Sequence, residues 1–196
     1  MKKYVLIGVI ALFLLESTQK VFAQRETLAD LLEKTIVLSE NAKTNELKEA
    51  LVSASFALEN EAYTRGNEMK PQLLKQAKIL KDFIPMASEG TLKTEALSSV
   101  VNTTRLLLGA NRINNLLEDG KDGLLGNAKE ITDSINLLQA GKSVLEDEKQ
   151  QRLNDLLADV SKIVKQLDGK EGNAKNAASS AKKTLEKIVH LVKETI

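Results

Sequence analysis

A chain of 196 residues with a formal charge of +1, no cysteine and only 3% aromatic residues is bounded before any motif is read. Near-neutral charge argues against bulk nucleic-acid binding, which needs a basic field to displace counterions. Without disulfides, stability rests on packing alone, and Leu, Ala, Ile and Val must fill the core, a composition typical of helical bundles and coiled coils.

The N-terminus has the pattern of a secretory signal. Lys2 and Lys3 supply positive charge, Val5 to Leu15 form an unbroken apolar run, and Val21 and Ala23 stand where a signal peptidase reads. The 11-residue run is well short of the roughly 20 residues that span a bilayer as a helix. Cleavage after Ala23 is expected, which makes 1–23 a signal peptide and 24–196 the folded domain. No cysteine marks the cleavage region, so a lipoprotein anchor is excluded. Export to the extracellular space follows, or to the periplasm in a Gram-negative host. Phe56, Tyr63 and Phe83 are the aromatic residues beyond the signal.

Apolar spacing and end signals predict helices along the rest of the chain. The first helical region covers about 26–63, with Leu28, Leu32, Thr35 and Leu38 on one stripe and Leu47, Ala50, Leu51, Ala54 and Leu58 on another. The segment "KTNE" at 43–46 interrupts it, and Thr44 can start a second helix. A shorter helix is predicted over 70–84, with Pro71 tolerated in its first turn because the N–H groups there are unpaired anyway. Pro85 and Gly90 then bracket a predicted loop, "PMASEG".

The segment 92–117 is read as the central helix, because its charges are confined to Lys93, Glu95, Arg105 and Arg112. Leu106, Leu107 and Leu108 are consecutive and point in three directions about 100° apart, as in a helix surrounded by others. Ser99, Thr103 and Asn114 are expected to insert polar groups between its apolar layers. After the turn "EDGKDG" at 118–123, Leu124, Ala128, Ile131, Ile135 and Leu138 mark the next helix. Leu153, Leu156, Val160, Ile163 and Leu167 then repeat at three and four, the spacing of a helix seam. "DGKEG" at 168–172 breaks the chain, and Ala174, Ala177, Ala181, Leu185, Ile188 and Val192 define the last helix. The whole is an all-α fold, expected as a single antiparallel bundle of five or six amphipathic helices.

The chemical motifs mostly resolve into structure. Gly141-Lys142-Ser143 ends like a phosphate-binding P-loop, but the first glycine should stand at 136, which is Asn136, and a helix replaces the required strand. Ser143 with Glu146 reads instead as a capping box. His190 is the single histidine, and Glu186 four residues earlier does not complete a di-iron set. The segment "DGKDGLLGNAKE" lacks the alternating oxygen ligands of a calcium loop. Asn102-Thr103-Thr104 is a glycosylation sequon inside the most apolar helix. No nucleotide, metal or other cofactor is expected, and no catalytic set assembles from these residues.

The last helix carries Lys175, Lys182, Lys183, Lys187 and Lys193 against Glu186 and Glu194, opposite its apolar stripe. These lysines are the candidate contacts for a protein partner or an anionic membrane. The chain is therefore read as a secreted or periplasmic, non-catalytic protein acting through protein–protein interaction, self-association or a structural role. In composition and amphipathicity it also resembles the exchangeable helical apolipoproteins, including the insect apolipophorins, a likeness without a diagnostic motif. That resemblance implies the alternative function, a bundle that opens to carry lipids or other apolar ligands.

Overall fold

The computed structural model describes residues 26–169 and 171–196, so the expected signal peptide at 1–23 lies outside the described residues. Those residues form no strand and seven α-helices: α1 (Leu28–Glu40), α2 (Thr44–Arg65), α3 (Lys70–Ser88), α4 (Thr94–Glu118), α5 (Ala128–Gly141), α6 (Asp147–Val164) and α7 (Glu171–Lys193). The all-α class holds, with more helices than the five or six predicted.

A capping box starts α1: the Asp30 N–H donates to the Thr27 hydroxyl at 3.2 Å, and the Thr27 N–H donates to the Asp30 carboxylate at 3.0 Å. The break before α2 is a tight helix end. The Lys43 N–H reaches back to the Leu38 carbonyl at 2.9 Å, and Ala42 takes a φ of +51°. Glycine normally fills that left-handed position, because a Cβ there crowds the backbone. Ala42→Gly is therefore expected to stabilise the fold by about 0.5–1 kcal/mol, visible as a raised urea midpoint at unchanged slope.

The predicted loop at Pro85 is not observed. Helix α3 runs through Pro85 to Ser88, and Ala87 is buried in the core. Pro85 and Lys81 both lie on the exposed side, where water can take the Lys81 carbonyl that the proline cannot serve. Pro71 does sit in the first turn.

Helix α4 is the centre of the fold. Every residue from Thr104 to Asn111 is buried, and the helix packs against α1, α2, α3, α5 and α7. The polar residues buried with it are Thr104, Arg105 and Asn111. The expected trio differs: Ser99 is exposed, and Thr103 and Asn114 are half-buried. Thr104 spends its hydroxyl on the Val100 carbonyl at 2.8 Å, within its own helix, and Asn111 donates to the Arg65 carbonyl at 2.8 Å.

Two glycines bring α4 and α5 together. A Cβ on Gly109 would stand 2.8 Å from the Ser134 carbonyl oxygen and from Leu138 Cγ. One on Gly141 would stand 2.5 Å from the Asn102 carbonyl oxygen and 2.8 Å from the Leu106 nitrogen. Gly141 thus ends α5 where that helix meets the backbone of α4, with an ordinary negative φ of −84°. Helix α5 begins later than predicted, because Leu124 belongs to a separate short turn, Asp122–Leu124. Its Asn127 makes no side-chain cap; the Ala128 N–H donates instead to Asp168 Oδ1 at 3.2 Å, and Gly126 N–H to the Leu167 carbonyl at 3.3 Å.

The Ser143–Glu146 capping box does not form. Glu146 precedes α6 without a side-chain cap, and Asn102 of α4 donates to the Ser143 hydroxyl at 3.0 Å. The seam of α6 is also rotated from the predicted one: Leu153, Leu157, Val160, Val164 and Leu167 are buried, with Leu156 and Ile163 half-buried at its edge. The apolar stripe of α7, Ala174 to Val192, is buried at each predicted position.

Candidate interaction surfaces

The outer face of α2 carries the largest apolar side chains left in solvent. Phe56 is 72% exposed, Tyr63 66% and Val52 47%. The buried residues Leu47, Leu51, Ala54 and Leu58 turn α2 toward the core. At 100° per residue, Phe56 points almost directly away from them, with Val52 and Tyr63 within about 40° of its direction. Aromatic side chains left this exposed gain little from folding. The chain has 3% aromatic residues, and two of the three among the described residues, Phe56 and Tyr63, stand largely in water here. The Lys70 ammonium lies 4.5 Å from the centroid of the Tyr63 ring, a cation–π contact at one end of the stripe.

The lysines of α7 do not form one free basic face. Lys175, Lys183, Lys187 and Lys193 are exposed and Lys182 is half-buried. Lys182 pairs with Glu186 at 3.5 Å, and Lys193 is hydrogen-bonded to Glu68, beyond the end of α2. That hydrogen bond and the Lys193 charge hold the Glu68 carboxyl below its ordinary value, as the Thr27 hydroxyl and N–H do for Asp30. Lys121, Lys182 and Lys183 ring a depression of about 440 Å³ with Ser179 and Glu186. The apolar side of α7 is occupied by the core, so the helix cannot lay that side on a lipid surface while docked.

Inside the fold, the two arginines of α4 are used structurally. Arg105 is bonded to Glu33 of α1 and, at 3.0 Å, to Asn102 Oδ1. Arg112 stands 3.7 Å from the buried Glu61, which Arg65 also reaches at 3.0 Å. Arg105 and Arg112 floor a groove of about 450 Å³ between α1 and α5, whose rim carries Asp30, Glu33 and Asp133. Acids and bases there largely answer one another.

The remaining motifs have ordinary places. Lys142 donates to Asn154 of α6 at 2.9 Å, so the Gly-Lys-Ser triplet ties α4, α5 and α6 at one junction. The Asn102 carboxamide of the sequon is engaged on both sides, by Ser143 and Arg105. His190 pairs with Glu194 at 3.1 Å rather than with Glu186, on an exposed helix end. Among the described residues, no group of three or more His, Cys, Asp or Glu is placed to hold a metal ion. No described helix is long and apolar enough to cross a membrane.

The α2 stripe was missed in the sequence, although the signal was present: Phe56 and Tyr63 both fall outside the leucine and alanine stripe of their own helix. What the described residues present is an all-helical fold with an exposed aromatic seam on α2. Compared with models of known families, with curated proteins and with solved structures, the chain matches none.

Proposed function

We propose that the chain is an exported, non-catalytic protein, built as a single antiparallel helical bundle, that works by binding another protein molecule through the outer face of α2. The observation that carries this reading is the exposure of Val52, Phe56 and Tyr63 along one side of that helix. Aromatic side chains on a rigid helix bring large contact area at low entropic cost, which is why they anchor interfaces.

A photo-crosslinking side chain placed at Asn60, beside the stripe, tests the reading in the native host. A discrete adduct is expected, and it should vanish in Phe56→Ser. The substitution itself should change folding stability by no more than about 0.5 kcal/mol, since it touches only a surface position. Equal adducts with and without Phe56 would sink the reading. The lipid-carrier alternative draws support from the depression ringed by Lys121, Lys182 and Lys183. Flotation with anionic vesicles that persists in Phe56→Ser would move the function to that face.

A further inference from the structure

We infer that the protein molecule received by α2 is a second copy of this chain, related by a two-fold axis across Phe56 so that the two α2 helices lie antiparallel. This rests on the reading that α2 is the binding face, and it names the partner.

The spacing of the exposed side comes first. Asn45, Glu49, Val52, Phe56, Glu59 and Tyr63 follow one another at four, three, four, three and four, the repeat with which one helix meets another along a shared seam. Helix α2 thus has two seams, one spent on the core and one facing outward. Asn45, Glu49, Val52, Phe56 and Tyr63 are exposed, and Glu59 is half-buried through its 2.5 Å pair with Lys81 of α3.

The charges at the ends of the seam then choose the partner and its direction. Glu49 and Lys70 make no ion pair with any described residue. The Lys70 ammonium sits over Tyr63. Glu49 lies seven residues before Phe56 and Tyr63 seven residues after it. A two-fold axis through Phe56 therefore sets Glu49 of each copy opposite Tyr63 and Lys70 of the other. The same contact forms twice, as an isologous interface requires. A parallel pairing would set Glu49 against Glu49 and Lys70 against Lys70. An anionic lipid surface would meet the carboxylates of Glu49 and Glu59 along the same line.

Size sets the strength. Helix α2 has 22 residues, about 33 Å of length. One helix face against its copy falls near or below the roughly 1,200 Å² of total buried area at the low end of specific interfaces. The dimer is therefore reversible and concentration-dependent rather than obligate.

Sedimentation velocity over a wide concentration range tests this with Glu49→Lys and Lys70→Glu, both surface changes whose folding is checked by circular dichroism. The unmodified protein should dimerise reversibly. Each variant alone sets two like-charge pairs in its homodimer and should weaken dimerisation about tenfold or more. An equimolar mixture restores both opposite-charge pairs and should recover the dimer as a heterodimer. A protein monomeric at all concentrations overturns the inference, as does a mixture that does not recover or a dimer indifferent to Phe56→Ser. If the protein stays monomeric while the crosslinker at Asn60 captures a different chain in a Phe56-dependent way, the binding-face reading stands and self-pairing alone falls. Loss of every Phe56-dependent adduct removes both.

Discussion

Alanine at Leu106, Leu107 or Leu108, introduced one at a time, is expected to cost about 2–5 kcal/mol in each case. A helix buried on one side cannot give that result. Three consecutive side chains span about 200° around the axis, so at least one would face water and be replaced for about 0.5 kcal/mol or less. All three leucines are buried because α4 has neighbours on several sides. For a chain of this size each kcal/mol lowers the melting temperature by roughly 2–4 °C. Each variant should therefore melt about 4–20 °C below the parent, and chemical denaturation followed at 222 nm would rank them. A near-neutral Leu107→Ala would mean that α4 is not surrounded as described.

The second large effect is steric. Gly141→Ala places a methyl group 2.5 Å from the Asn102 carbonyl oxygen and 2.8 Å from the Leu106 nitrogen. Both are backbone atoms of α4, so relief requires the two helices to part. Overpacking of this kind costs about 1–3 kcal/mol or more, and alanine's better helix propensity returns at most about 1 kcal/mol. Gly109→Ala should cost less, because one of its close neighbours is the side chain of Leu138, which can rotate. The double variant should cost less than the two single ones added, since helices already pushed apart at one crossing have room at the other. Gly172→Ala is the control: no described atom lies within 4 Å of its added methyl group, and it should be neutral or slightly stabilising. Equal losses at all three positions would mean that close approach is not what the glycines of α4 and α5 provide.

Much of the helical framework was legible because helix ends and apolar stripes are local properties. Thr44 was read as a start and opens α2, and the stripe of α7 was placed residue by residue. The centrality of α4 was legible from three adjacent leucines. What failed depends on neighbours. Leu156 and Leu157, like Ile163 and Val164, fit a three-four seam equally well, and only the packing of α6 selects Leu157 and Val164. Pro85 reads as a stop, yet the carbonyl it leaves unserved is on the wet side and the Ala87 beyond it is buried. Ser143 has the residue spacing of a cap, but its hydroxyl is claimed by Asn102 from another helix. As for the candidate site, charge alone marks the lysines of α7, and it does not reveal that Lys182 is tied to Glu186 and Lys193 to Glu68. The aromatic seam of α2 is harder to read, because the sequence alone does not say which of that helix's two faces is buried, and the Leu and Ala stripe accounts for the helix by itself.

The start of α5 has its own consequence for how the chain matures. A helix usually finds its first capping group in the residue next door; α5 takes its cap from Asp168, 40 residues further along. Until the segment carrying Asp168 has folded back, that N–H can be served only by water. A chain truncated before 168 lacks this cap, and the first turn of its α5 is expected to fray. In this stretch the later helix must be docked before the earlier one has its cap.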